Sequence, residues 1–170
     1  MKTFGVVIIV VSAASFGFQY AASVRRRCQM IGQLLLALRL LKSEISTHGT
    51  PIPQAFGFLA AATNGSTADY FSDAAKEMAR KRWLSADASL RGAEDKLKEL
   101  QRDDPVKTVL HELGAGLGRF DLESQLNGIQ CAIARLEQIQ HDAEKDKTVH
   151  CRTYRTLGIC VGLALAILLI

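Results

Sequence analysis

Long uncharged runs occupy the two ends of the chain, and a mixture of apolar and polar positions fills its middle. No charged residue occurs from Thr3 to Val24, and Val6–Val11 is a continuous β-branched apolar run. A helix of about 20 apolar residues spans the hydrocarbon core of a bilayer. The pattern therefore predicts a first transmembrane helix over residues 4–24.

Residues 1–15 also fit a cleaved signal peptide, with Lys2 before a short apolar core and small residues at 12–15. The uncharged run, however, continues to Val24 and then meets three consecutive arginines, Arg25–Arg27. A signal peptide does not need this extension, whereas an anchored helix does. The pattern favours a retained span.

The uncharged run at the carboxyl end, residues 156–170, is shorter. As a helix it would rise about 22 Å, which is less than the roughly 30 Å of a bilayer core. Starting at Cys151 lengthens the segment and includes Arg152 and Arg155, whose long side chains can reach the headgroups. We predict a second, minimal span over 151–170. The alternative, a buried core helix, fits less well because the run has no polar face.

Basic residues border both predicted spans on the side that faces the middle of the chain. They are Arg25, Arg26, Arg27, Lys145, Lys147, Arg152 and Arg155. Only Lys2 lies on the other side of a span. Lysine and arginine near span ends mark the cytoplasmic side. The pattern places a domain over residues 28–150 in the cytoplasm and both termini across the membrane.

Helical periodicity dominates this middle part. The first apolar face ends near Gly49, which suits the residue after a helix, and Pro51 and Pro53 suit the start of the next helix. A long helical region is expected from 69 to 101, with a break left open near Ser85, Ser89 and Gly92. Asp104 and Pro105 suit the N-cap and the first position of the following helix. The remaining faces are carried by Val106, Val109, Leu110, Leu113 and Leu117, and by Leu122, Leu126, Ile129, Ile133 and Leu136. The expected fold is all-α, an antiparallel helical bundle flanked by an N-terminal and a C-terminal transmembrane helix.

Charge and composition exclude two broad classes. A content of 48% apolar residues rules out a chain disordered throughout. The net charge of +4 suggests a nucleic-acid binder, but residues 28–144 contain 13 lysines and arginines against 16 aspartates and glutamates. The excess positive charge therefore flanks the spans, and no nucleic-acid partner is expected.

Candidate chemistry is sparse. Gly114–Gly118 is glycine-rich but lacks the Lys-Ser/Thr of a phosphate-binding loop and follows a helical stripe. The four cysteines form no C-x-x-C pair, and the four histidines have no metal-ligand spacing. Cys28 and Cys151 border the spans. They are either palmitoylation sites or simply small apolar residues. We predict no catalytic, cofactor-binding or metal-binding residues.

Two features suggest association. Small residues at a spacing of four, Gly158 and Gly162 in the second span and Ala13, Gly17 and Ala21 in the first, favour close helix packing within or between chains. Arg80, Lys81 and Arg82 form the one basic cluster inside the domain. It is either a solvated face or a surface for an acidic partner.

Several short stretches occur in an order that resembles the stage III sporulation protein AB family of endospore-forming bacteria. They are Gln33–Leu38, Gly49–Phe56, Leu117–Asp121 with Gln125, and Tyr154–Gly158. The L-G-x-x-D-x-x-x-Q and Y-R-T-L-G stretches are the most specific, although Arg119 and Phe120 stand where a small polar residue is expected. The G-T-P-x-P-x-A stretch also looks like the helical modules of type II secretion platform (F) proteins.

The resemblance implies a structural role and no enzymatic activity. It implies a membrane platform or scaffold in a channel complex between mother cell and forespore, in the forespore's outer membrane. The expected partners are the ATPase stage III sporulation protein AA, other membrane components, the lipid bilayer and, as an open question, a second copy of the chain. Pro51, Pro53, Leu117, Gly118, Asp121 and Gln125 would form a hairpin or partner motif. An adaptor or regulator of another envelope complex is the alternative, and a membrane-anchored enzyme is a further one.

Overall fold

Helices make up the regular secondary structure of the protein. In this computed structural model, residues 2–80 and 85–169 have a described backbone, and residues 22–80 and 85–145 have described side chains. The helices are α1 (Lys2–Ser43), α2 (Ile52–Ala62), α3 (Ser66–Arg80), α4 (Ala86–Gly92), α5 (Pro105–Gly116) and α6 (Leu122–Leu169). No strand occurs in the described backbone, so the predicted all-α class is confirmed.

The chain divides into two compact units. One, the terminal unit, combines Met1–Cys28 with Asp142–Ile170, and the other, which we call the helical domain, is Gln29–His141. The backbone of the terminal unit is helical over 2–28 and 142–169. The functional argument below concerns the helical domain.

Sequence signals fix most of the helix ends in this domain. After α1 the chain makes one π-helical turn, Glu44–His48, and Gly49 then adopts φ 59°, ψ 28°, a left-handed conformation that favours glycine. Pro51 precedes α2, and Pro53 lies in its first turn. The Asp104 side chain accepts a hydrogen bond from the Val106 amide at 3.0 Å, which caps the start of α5.

The region from 69 to 101 is not one long helix. Helix α3 ends at Arg80, and α4 begins at Ala86, where the Ser85 hydroxyl accepts a hydrogen bond from the Ala88 amide at 3.2 Å. After Gly92 the chain makes only a short 3₁₀ turn, Glu94–Lys96, before turns lead to α5. A serine cap and a glycine end therefore make the break that the sequence left open near Ser85, Ser89 and Gly92.

The core of the helical domain is formed by apolar faces of all six helices, and Tyr70 and Phe71 of α3 belong to it although periodicity did not predict them. Its largest fully buried side chains are Tyr70, Phe56, Phe71, Ile31, Leu34, Leu38, Leu41, Leu59, Leu90, Leu97, Leu110 and Ile129. One aromatic contact joins α2 and α3, since the rings of Phe56 and Phe71 lie 5.6 Å apart. Within α3, Tyr70 meets Phe71 edge-on at 5.1 Å. The prediction was wrong for Leu122, which is exposed. It lies in the first turn of α6, whereas the first buried residue of that helix is Ile129.

Helices α1 and α6 run antiparallel through the helical domain. The Arg39 guanidinium lies 2.6 Å from a Glu137 carboxylate oxygen, and Lys42 donates to the Gln130 side chain at 2.7 Å. Residue numbers thus rise along α1 as they fall along α6. Gln29 and His141 lie at one end of the domain, and His48 and Leu122 lie at the other.

Within the part of the chain whose side chains are described, no helix has both the length and the apolar character needed to cross a membrane. The predicted spans 4–24 and 151–170 lie outside that part, apart from residues 22–24. Both spans therefore stay predictions.

Candidate functional site

The link between α5 and α6 lies against the start of α2 and joins two motifs that are distant in sequence. Gly118 has φ 75°, and a Cβ atom added to it would lie 2.9 Å from Ile52 Cδ1. Both the left-handed backbone and this contact favour glycine. The predicted motif residues around Pro51 and Gly118 are therefore neighbours. We call residues 117–122 with Gln125 the corner.

The side chain of Gln125 holds the corner at both of its polar atoms. Its Oε1 accepts a hydrogen bond from the Gly118 amide at 3.1 Å, and its Nε2 donates to the Phe120 carbonyl at 2.7 Å. An amide side chain carries a donor and an acceptor, so one residue satisfies two backbone groups of a link that has no regular structure. The sequence identified Gln125 but did not show which groups it binds.

Asp121 caps the start of α6. Its carboxylate accepts hydrogen bonds from the Ser124 amide at 3.1 Å and from the Ser124 hydroxyl at 2.7 Å. These hydrogen bonds to Ser124 lower the pKa of Asp121 below its ordinary value, because they stabilise the ionised form. The cap and the Gln125 contacts together fix the corner from both sides.

This fixed corner presents two large apolar side chains to solvent. Phe120 is 60% exposed and Leu122 is 51% exposed. Periodicity placed Leu122 on a buried seam and gave no signal for Phe120. An isolated exposed apolar residue is ordinary, but two on one ordered link are typical of a contact surface.

A groove lies beside the corner, between α5 and α6. It has a volume of about 150 Å³ and is lined by residues that include the apolar Val109, Leu113 and Ala132 and the glycines Gly116 and Gly128. Arg135 and Glu112 form an ion pair at its edge. Leu117 and Gln125 also line it, so the groove and the corner belong to one surface.

Cys131 is exposed and lines the same groove. Cys28 is buried, and both thiols are free. Among the residues that the structure describes, no group of three or more histidine, cysteine, aspartate or glutamate side chains is placed to hold a metal ion.

A buried polar cluster lies elsewhere in the domain. The Tyr70 hydroxyl is buried with no hydrogen-bond partner, and Glu94 pairs with His111. Burial raises the pKa of Tyr70, and the charges of Glu94 and Asp87 raise it further. The cluster joins the 3₁₀ turn to α5, and sequence reasoning gave no signal for it.

The remaining predicted site residues are placed only in part. Arg80 is exposed at the end of α3 and lies 3.1 Å from the Glu77 carboxylate. Lys81 and Arg82 lie outside the described residues. The small residues proposed for membrane-helix packing, Ala13, Gly17, Ala21, Gly158 and Gly162, lie outside those with described side chains.

Comparisons with known proteins agree with one another. The sequence profile of stage III sporulation protein AB matches residues 2–170. Stage III sporulation protein AB of Bacillus subtilis (strain 168) is 31% identical over 173 residues, which cover 99% of each chain. A solved structure of a stage III sporulation protein AB is similar with a TM-score of 0.65 and 27% identity, over 73% of this chain and 98% of that one.

Proposed function

The chain belongs to the stage III sporulation protein AB family, and we propose that it is a non-enzymatic scaffold of a secretion-like channel complex in sporulation. In this proposal two terminal spans anchor the helical domain in the forespore's outer membrane. The domain lies in the mother-cell cytoplasm and docks a cytoplasmic ATPase, the stage III sporulation protein AA.

The observation that carries the proposal is the antiparallel pairing of α1 and α6. The contacts Arg39–Glu137 and Lys42–Gln130 place Gln29 and His141 at the same end of the helical domain. A domain tethered to one membrane at both chain ends needs its two connections on one side. The pairing meets this requirement.

The sequence supports the membrane anchors. Residues 4–24 and 151–170 provide two apolar segments, and the basic residues that border them lie on the side of the domain. Since lysine and arginine accumulate on the cytoplasmic side, this pattern favours a cytoplasmic domain.

A docking role fits what the domain offers. Its described surface carries an ordered apolar corner and no metal-ligand cluster, a combination that favours contact over catalysis. The basic segment Arg80–Arg82 is the part of the sequence that we assign to the ATPase, because an acidic partner face would complement its charge. The resemblance to type II secretion F modules supports the same role.

Co-purification of the full chain in detergent with its cognate ATPase tests the proposal. We expect retention of the ATPase, and weaker retention by a variant with Arg80→Glu, Lys81→Glu and Arg82→Glu. A matched variant, Lys98→Glu with Arg102→Glu and Lys107→Glu, changes the same charge elsewhere and should retain it. Lack of retention with both partners folded would exclude ATPase docking.

A further inference from the structure

The groove beside the corner has room for one aromatic ring that the chain itself does not supply. Its volume is about 150 Å³. A dry cavity of about this size in another protein holds a benzene molecule. Gln125 lines the groove and binds the Phe120 carbonyl, but Phe120 itself is not a lining residue and 60% of it is exposed, so it does not fill the groove of its own chain. The groove and the Phe120 ring are complementary in size, but the ring does not occupy the groove of its own chain.

A glycine in the wall of the groove points the same way. Gly128 lies inside α6, and an added Cβ would have no atom within 4 Å. Glycine inside a helix costs about 1 kcal/mol relative to alanine, and the fold of the helical domain does not require it here. An occupant that approaches the helix backbone would require it.

We propose that the occupant is a second copy of this chain, in a two-fold dimer in which Phe120 of each copy enters the groove of the other. In a two-fold interface each copy contributes the same patch, which must therefore carry both the protruding and the receiving parts. This surface carries both, since Leu117 and Gln125 line the groove and Gln125 holds the Phe120 carbonyl.

Charge complementarity supports a second copy over an unrelated partner. Arg119 and Glu123 flank Phe120 and Leu122, both are exposed, and neither makes an ion pair among the described side chains. Across a two-fold axis, Arg119 of one copy can meet Glu123 of the other. The pair would form twice. Elsewhere on this surface Arg135 and Glu112 neutralise each other, and Asp121 adds one negative charge beside Arg119.

The fixed geometry of the corner favours binding. Gln125 and the Asp121 cap hold the loop before any contact is made. A loop that is already ordered loses less conformational freedom on association. The contact is small, so we expect a weak dimer that the shared membrane would help to populate.

Sedimentation of the full chain in detergent micelles tests the dimer. Phe120→Ser should raise the dimer Kd by at least about 30-fold, as expected for a buried aromatic anchor. Gly128→Leu should have a similar effect by filling the groove. Phe58→Ser is the matched control, because Phe58 is 46% exposed on α2, and this variant should dimerise like the wild type.

A photo-crosslinking phenylalanine analogue at position 120 tests the contact directly. We expect it to join the segment 128–135 of a second, isotope-labelled chain. A monomeric wild type, an unchanged Kd for folded Phe120→Ser, or crosslinks confined to other segments would each overturn the proposal. Dimers driven only by the proposed spans would be recognised because Phe120→Ser would leave them intact.

Discussion

Removing the Gln125 side chain tests whether one residue holds the corner. Gln125→Ala deletes the acceptor for the Gly118 amide and the donor to the Phe120 carbonyl, at 3.1 and 2.7 Å. Each side-chain hydrogen bond contributes about 0.5–1.5 kcal/mol net, and less at an exposed site. We therefore expect local opening of the corner to become easier by about 1–2 kcal/mol.

Hydrogen exchange reads this opening at the residue concerned. A change of about 1–2 kcal/mol corresponds to about 5- to 30-fold faster exchange of the Gly118 amide. Exchange followed by mass spectrometry on the full chain in detergent resolves the segment 114–121. Gln138→Ala is the matched control, since Gln138 is an exposed glutamine of the same helix, and it should leave this exchange unchanged.

A second variant separates the two hydrogen bonds. Gln125→Glu keeps an acceptor for the Gly118 amide but cannot donate to the Phe120 carbonyl at neutral pH. Exchange of Gly118 should therefore rise less than in Gln125→Ala. If Gln125→Ala left Gly118 exchange at the wild-type rate, the corner would be ordered by something other than this side chain.

Three further changes have defined outcomes in thermal unfolding of the full chain followed by circular dichroism. Gly114→Ala places a Cβ 2.9 Å from Asp87 Cα and should destabilise the chain by about 1–3 kcal/mol. Gly57→Ala is the control, because a Cβ added there has no atom within 4 Å, and it should be neutral or stabilise the chain by up to about 1 kcal/mol. Equal losses of stability in the two variants would refute the contact between Gly114 and Asp87. Hydrogen bonds from the adjacent turn lower the pKa of Asp121 from 3.8. The ionised Asp121 carboxylate therefore stabilises the fold above pH 3.8, and this stabilisation is lost as the pH falls through the lower pKa of the folded state. The difference in unfolding free energy between the wild type and Asp121→Asn should therefore shrink in acid. Burial raises the pKa of Tyr70 above 10.0, so the wild type should lose stability above pH 10 as the unfolded chain ionises. Tyr70→Phe should remove that loss, and at neutral pH it should gain about 1 kcal/mol, since the hydroxyl has no partner.

Helix ends were the most predictable part of the fold. Gly49, Asp104 and Pro105 were identified from residue type alone, and each stands at an end of a helix. A left-handed glycine and an N-cap before proline depend on chemistry within one turn. Local signals of this kind do not require knowledge of the rest of the chain.

The corner could be predicted only in part, because periodicity reports which face of a helix is buried and not which links meet. Pro51 and Gly118 were identified as separate motifs, and only the contact between Ile52 and Gly118 places them together. The exposure of Phe120 depends on where a non-helical link points. The break between 69 and 101 was left open for a similar reason, since the apolar spacing continues across it and only the structure shows that Ser85 caps a new helix.

The central claim is tested most directly by determining on which side of the membrane the helical domain lies. Cys131 is exposed on α6, so a variant in which Cys28, Cys151 and Cys160 are replaced by serine reports on the domain through this one thiol. In non-sporulating cells that express this variant in the cell membrane, whose far side faces the medium, a membrane-impermeant maleimide should leave Cys131 unlabelled when the cells are intact and label it in inverted vesicles. A cysteine placed at Lys2 should show the opposite pattern. Labelling of Cys131 in intact cells would contradict a cytoplasmic domain anchored at both of its ends.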